Sequence, residues 1–163
     1  MRLEVQREEM GSLPADYAAI PQVMMEWGLH REVQECIWVV AYDADLAVRT
    51  VVELARGTLT KVHLHLPTLI AAIVTAGCER FILVHNHPSD RAEASPKDHH
   101  LTETVMLAAN AAGLYFEDHL ILTPSGGWHS MTLAGEMEPV DYVAHASAAS
   151  PSRQVRSLWE TEY

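Results

Sequence analysis

The apolar positions of this chain fall into short runs whose period changes from one run to the next, and each change marks an element. Residues 33–42, VQECIWVVAY, are dense in aliphatic and aromatic side chains and predict a strand. Residues 46–54, LAVRTVVEL, predict another, set off by the polar turn Asp43-Ala44-Asp45 and followed by a connection at Arg56-Gly57-Thr58. Phe81-Ile82-Leu83-Val84 is a continuous apolar run, as expected of a strand buried on both faces. Residues 114–122, LYFEDHLIL, predict a further strand, and the turn Pro124-Ser125-Gly126-Gly127 leads into a short final one over 128–133. Pro67 and Gly77 bracket a short helix. The clearest helix covers 95–112, where Leu101, Val105, Ala108 and Ala112 recur at helical spacing and Gly113 supplies the stop. Residues 14–28 predict a helix interrupted or restarted near Pro21, with Gly28 as its end. Residues 1–8 suggest an edge strand, and the small, polar texture after Gly135 suggests a loosely held tail with a short helix around 155–159. This order gives an α/β domain with a central, partly parallel sheet.

Composition narrows the class. A chain of 163 residues is most simply one domain, and at that size folding buries roughly 70% of the unfolded surface. The 48% apolar content is that of an ordinary globular protein. No apolar run approaches the ~18 residues that a membrane span needs. The first residues, MRLEVQREEM, carry charges where a signal peptide needs an apolar stretch, so a cytoplasmic location is expected. Cys36 and Cys78 sit in apolar surroundings and read as buried small side chains, not as a disulfide framework or a thiolate zinc site. A net charge of −11 with only 11 Lys and Arg argues against nucleic acid as a partner, because such binding neutralises phosphates with cations. Ten histidines are many for this length and direct attention to metal.

The informative segment is His85-Asn86-His87-Pro88, followed after six residues by Ser95-Pro96-Lys97-Asp98. Histidines at i and i+2 of an extended segment point the same way. They lie just beyond the run 81–84, at the strand end where a parallel sheet opens a ligand crevice. Neutral imidazoles suit zinc, and Asp98, leaning toward the sheet from the first turn of its helix, can complete a three-ligand set with water in the fourth position. Ser95-Pro96-Lys97-Asp98 also reads simply as a helix start, with a capping serine, a first-turn proline and an acid at the third position. The chain contains its own control: His63-Leu64-His65 has the same spacing but is followed by Pro67 and an apolar helix with no nearby acid. For a general base, Glu35 is the charged residue at the mouth of the buried strand 33–42, a place where an acid is usually paired or functional. It also reads as an exposed acid at a frayed strand end. Glu53 has a weaker claim, because Arg49 and Arg56 offer it ordinary surface partners.

His-x-His-Pro, six further residues and Ser-x-x-Asp is similar to the signature of the JAMM (JAB/MPN) metallohydrolases. The surrounding sequence resembles the RadC-like branch: FILVHNHPS resembles its strand running into HNHPSG, Asp118-His119-Leu120-Ile121 its DHIIV-like strand, and Trp128-His129-Ser130 its aromatic-x-Ser end. ECIWVVAYD (35–43) resembles its pattern of Glu, apolar strand and Asp, and Gly57-Thr58-Leu59 its following turn. The resemblance covers 30–134 and implies a single JAB/MPN-type domain with a mixed sheet flanked by helices, a cytidine-deaminase-like architecture. It would leave residues 1–29 as an N-terminal extension and 135–163 as an acidic, small-residue tail. It implies zinc on His85, His87 and Asp98, Glu35 as proton carrier from water to a leaving amine, and Ser95 as a hydrogen-bonding aid to the water or oxyanion. Asp118 and His119 match family positions whose part is either support behind the metal ligands or strand packing.

Three features depart from the branch. Only about 30 residues precede the match, where full-length RadC-like proteins generally carry a helix-hairpin-helix segment, so a DNA-binding role carried by that segment is not expected. The loop reads Ser89-Asp90-Arg91 where the branch usually has Ser-Gly and prolines, which suggests a more mobile rim. The tail has no counterpart. The expected activity is zinc-dependent cleavage of a peptide, isopeptide or related amide bond in a peptide or protein substrate. The alternatives are a non-catalytic MPN-like interaction domain and a DNA-repair-associated RadC-like factor. A zinc nucleobase deaminase uses His-x-Glu with a later Pro-Cys-x-x-Cys, and this chain has His-x-His and no cysteine pair.

Overall fold

The computed structural model describes residues 11–57 and 64–138. Its strands are β1 (Glu35–Tyr42), β2 (Val48–Gly57), β3 (Arg80–Asn86), β4 (Tyr115–Leu122) and β5 (Trp128–Ser130), and its α-helices are α1 (Ile20–Glu26), α2 (Leu66–Thr75) and α3 (Pro96–Ala112). The strands form one five-stranded sheet in the order β2-β1-β3-β4-β5. β3 and β4 run parallel, and the other neighbours are antiparallel. A parallel pair needs a crossover, which α3 supplies. The domain is therefore α/β with a mixed sheet flanked by helices.

Both faces of the sheet are covered, which is why its central strands read as continuous apolar runs. Phe81, Ile82, Leu83 and Val84 have no exposed surface and alternate between two cores. Ile37, Val39, Phe81 and Leu83 pack with Leu69 and Ile73 of α2 and with Val105 and Ala109 of α3. Trp38, Val40, Ile82, Val84, Leu120 and Leu122 pack with Ile20, Met24 and Met25 of α1. Phe81 and Phe116 stack with ring centroids 4.9 Å apart. Cys36 and Cys78 are buried free thiols.

Of the two expectations for Pro21, the restart is what the structure shows: α1 begins at Ile20, and Pro21 lies in its first turn without interrupting it. Asp16 caps a 3-10 turn at Tyr17–Ala19 by accepting from the Ala18 amide, and Pro21 then falls in the first turn of the helix, where a missing N–H costs nothing. At the other end of α3, Gly113 holds a left-handed φ of 70°, which lets its amide turn back on the carbonyls of Ala109 and Asn110. Asp43 organises the β1–β2 turn by accepting from the amides of Asp45 and Ala47 and pairing with Arg49.

Two strand ends differ from expectation. β3 continues past the apolar run through His85 and Asn86, which are paired with β4 at Ile121 and Leu122. β5 stops at Ser130, short of 133, because Asp118 reaches across from β4. Its carboxylate accepts from the Ser130 hydroxyl at 2.5 Å and from the Thr132 amide at 3.0 Å, and this turns the chain out of the sheet. The suggested edge strand at 1–8, the helix at 155–159, Thr58 and His63 lie outside the described residues. Among the described residues no helix is long and apolar enough to cross a membrane.

Asp118 is fully buried, and its removal strands two donors. Asp118→Ala is expected to lower the unfolding free energy by about 2–4 kcal/mol, since each buried unsatisfied polar group costs ~1–3 kcal/mol. Chemical denaturation checks this, and a change below about 0.5 kcal/mol, the size of an ordinary surface substitution, would show that the turn holds without it.

Candidate metal centre

The site forms where β3 ends. His85 and His87 lie on one side of the strand, buried, with their rings edge to face and centroids 4.4 Å apart. The His87 amide donates to the Leu122 carbonyl at 2.8 Å, so the chain stays extended one residue beyond β3. The His87 Nδ1 lies 2.6 Å from the Arg91 carbonyl oxygen. A carbonyl only accepts, so Nδ1 carries the proton and Nε2 keeps its lone pair.

The loop after Pro88 returns the chain to the start of α3. Asp90 has a φ of 63° and its carboxylate accepts from the Ser125 amide at 3.0 Å. The branch that the sequence resembles carries glycine there. Aspartate tolerates the left-handed region better than most residues, and here it also ties the rim of the site to the β4–β5 turn.

At the start of α3 the helix-cap reading of Ser95-Pro96-Lys97-Asp98 holds. The Ser95 amide donates to Asp98 Oδ2 at 2.7 Å, and Ser95 Oγ accepts from the Asp98 amide at 3.3 Å, a reciprocal capping box. Asp98 is nevertheless fully buried, with Oδ2 at 3.5 Å from His87 Nε2 and Oδ1 at 3.6 Å from His85 Nδ1. Asp98 Oδ1 and His85 Nε2 are both buried without a hydrogen-bond partner. Burial pushes the Asp98 carboxyl up, but His87, His85 and the Ser95 hydrogen bonds outweigh it and hold the group below the usual carboxylate range. Burial works against charging His87 as well, yet the bond to Asp98 and the Arg91 carbonyl raise its pKa on balance. His85 is pushed down by burial and by its histidine neighbours.

Glu35 opens β1 beside this pair. Among the described residues, Glu35, His85 and His87 form the group of His, Cys, Asp and Glu whose ligand atoms all lie within 4.8 Å of one another. Asp98 lies against the same two rings. Glu53 pairs with Arg56, which also reaches Glu32, so it belongs to the surface. His65 of the control pair sits at the start of α2 with Nδ1 2.8 Å from Thr68 Oγ1.

Sequence reasoning passed over Asn86, the residue between the two histidines. Strand alternation sends its side chain the other way, toward the start of β1. Its Oδ1 accepts from the Cys36 amide at 2.7 Å, and its Nδ2 donates to the carbonyls of Glu32 and Gln34 at 2.9 and 3.0 Å. One amide therefore clamps the backbone on both sides of Glu35. The two positions left open resolve differently. Asp118 staples the end of β5, whereas His119, fully buried on the neighbouring strand, has Nε2 3.4 Å from His85 Nδ1 and Nδ1 2.7 Å from Thr102 Oγ1. Burial lowers the His119 pKa to about 4. Thr102 also escaped notice, because nothing in the sequence marks a helical threonine as a partner of a strand histidine.

Comparison with known proteins gives the family. The profile of the family described as RadC-like JAB domain matches residues 14–136. A UPF0758 protein of Photorhabdus laumondii is 36% identical over 70 residues, covering 43% of this chain and 30% of that protein. One of Aromatoleum aromaticum is 35% identical over 89 residues, 55% of this chain and 40% of that one. One of Synechocystis is 27% identical over 117 residues, 72% of this chain and 48% of its own. The chain thus matches less than half the length of each of these relatives.

Removing the Asn86 clamp frees the segment that carries Glu35. In Asn86→Ala, hydrogen exchange at the Cys36 amide is expected to accelerate at least about tenfold, the equivalent of one lost hydrogen bond of ~1.4 kcal/mol. The amides of the β3–β4 ladder should keep their protection. Unchanged exchange at Cys36, followed by NMR or mass spectrometry, would show that β1 holds Glu35 without the clamp.

Proposed function

Because the chain belongs to the RadC-like JAB domain family, we propose that it is a zinc-dependent hydrolase that cleaves a peptide, isopeptide or related amide bond. The observation that carries this reading is the pair of orphaned buried atoms, Asp98 Oδ1 and His85 Nε2, beside a His87 whose tautomer also leaves Nε2 open. A buried carboxylate oxygen without a partner is costly, and a bound cation would remove that cost. Two nitrogens and one carboxylate oxygen form a donor set that suits zinc with one position left open. His85, His87 and Asp98 would hold the ion, which when bound supplies Lewis acidity to polarise a carbonyl and acidify a water.

The remaining work falls to this chain's own groups. Glu35, half-buried at the mouth of β1, takes the proton of the attacking water and delivers it to the leaving amine nitrogen. Its reach is set by the Asn86 clamp on residues 32–36. Ser95 spends its oxygen on the Asp98 amide, so its own O–H remains a donor for the developing oxyanion. The substrate is a peptide or protein that presents an accessible amide to this strand end.

Glu35→Gln is expected to keep stoichiometric zinc while losing at least about 10²-fold in amide hydrolysis, the usual contribution of a positioned general base. His87→Ala and Asp98→Ala should lose the metal itself. Metal analysis of the purified proteins and a peptide and isopeptide screen against wild type provide the check. Wild type without stoichiometric metal, or full activity in Glu35→Gln, would sink the proposal. Loss of zinc from Glu35→Gln as readily as from His87→Ala would make Glu35 a ligand.

A further inference from the structure

The hydrogen bonds behind His85 have a direction that can be worked out atom by atom. Thr102 Oγ1 lies 2.7 Å from the Asp98 carbonyl oxygen, and since a carbonyl only accepts, the threonine hydroxyl donates there. The Met131 sulfur at 3.2 Å is a far weaker acceptor for the same hydrogen. With its one proton committed, Thr102 Oγ1 must accept in its 2.7 Å contact with His119 Nδ1, so the His119 proton sits on Nδ1. A neutral imidazole with Nδ1 protonated has its lone pair on Nε2. That atom faces His85 Nδ1 at 3.4 Å, so His85 donates from Nδ1 and its own lone pair falls on Nε2, the buried atom without a partner. Asp98 Oδ1, at 3.6 Å from the same Nδ1, is too far to take over that hydrogen.

We propose that His119, oriented by Thr102, is a positioning residue that fixes His85 in the tautomer whose Nε2 is free to bind the metal. An isolated histidine side chain favours the opposite tautomer, with the proton on Nε2, so the site must impose this one. His87 obtains the same tautomer from the Arg91 carbonyl. The two ligands are thus set alike by different means, one by backbone and one by a chain of side chains running back to the carbonyl of Asp98. The register supports the assignment: Leu83 pairs with His119 across the parallel ladder, one alternation before His85, so the two imidazoles meet on the same face. This inference rests on the metal-site reading above, but it concerns the metal-free protein as much as the loaded one.

The test reads tautomer and zinc affinity separately from turnover. In metal-free wild type, nitrogen-15 NMR of labelled histidines should show His85 protonated on Nδ1. His119→Leu removes the acceptor and keeps the position apolar. It is expected to move the His85 proton toward Nε2 and to weaken zinc binding about 10–100-fold, the usual effect of losing a group that orients a ligand. His119→Gln, whose side-chain oxygen can accept the same hydrogen, should restore the tautomer and most of the affinity. A merely structural residue would shift the melting temperature without changing the His85 signals. An unchanged His85 tautomer in folded His119→Leu, or no rescue by glutamine, overturns the proposal. If the leucine variant does not fold, Thr102→Val serves: it removes the acceptor of the His119 Nδ1 proton, so the His119 tautomers should become mixed and zinc binding should weaken by a smaller factor. Unchanged His119 signals in that variant overturn it equally. Wild type that binds no zinc defeats the functional reading, and the tautomer measurement then decides on His119 alone.

Discussion

A carboxylate with no exposed surface is the constraint around which this domain is arranged. An uncompensated buried charge costs several kcal/mol even after relaxation, a large part of the ~5–15 kcal/mol that keeps a whole domain folded. Asp98 obtains only part of that compensation from hydrogen bonds within the protein. The Ser95 amide donates to one oxygen, two imidazoles stand 3.5 and 3.6 Å away, and Oδ1 is left without a partner. To bring these groups together, α3 must begin beside the last residues of β3, and the loop between them must be short. The parallel β3–β4 pair, with α3 as its crossover, provides that arrangement. The helix cap and the proposed metal ligand need not be rival readings of Asp98, because the cap takes Oδ2 and leaves Oδ1 without a partner.

The three residues His85-Asn86-His87 divide the labour of holding the site. Alternation sends the histidines to the α3 side and Asn86 toward the start of β1. One short segment thereby fixes both proposed nitrogen ligands and, through the backbone of 32–36, the place of Glu35. The register cannot slip, because a shift by one residue would exchange the two cores and carry every one of these side chains to the wrong face. Apolar packing on both sides of β3 is what gives the polar end its precision.

Much of this was legible from the chain. The run 81–84 and the spacing of Leu101 and Val105 carry their own periodicity, and the His-x-His and Ser-x-x-Asp spacings carry geometry as well as resemblance. Glu35 stood out as an acid at the mouth of an apolar strand, but the residues alone left it equally an exposed acid at a frayed end, and the resemblance chose between the two. What stayed hidden depends on neighbours that are distant in sequence. Asn86 matters through residues about 50 positions earlier, and His119 through the β3–β4 register and a threonine of α3. No local pattern reports such contacts. Pro21 could be read as a break or a restart, and the 3-10 turn ahead of α1 makes it the restart. The early end of β5 followed from one buried carboxylate, Asp118, whose two acceptor bonds outweigh the strand pattern of 128–133.

Two carboxylates stand beside the histidine pair, and their surroundings separate their roles. Asp98 is fully buried, held by a reciprocal cap, and kept below the usual carboxylate range by His87, His85 and the Ser95 hydrogen bonds. Those are the properties of a ligand, which must keep its charge and its place. Glu35 is only half-buried and sits at the first residue of a strand, with the backbone on both sides of it clamped by Asn86. A group that must collect a proton and release it needs access to water and substrate, which Asp98 lacks. Proximity of Glu35 to both imidazoles, within 4.8 Å, fits this division as well, because a base has to reach the water it activates. Burial, more than distance, is therefore the ground on which Asp98 is proposed for the metal and Glu35 for the proton.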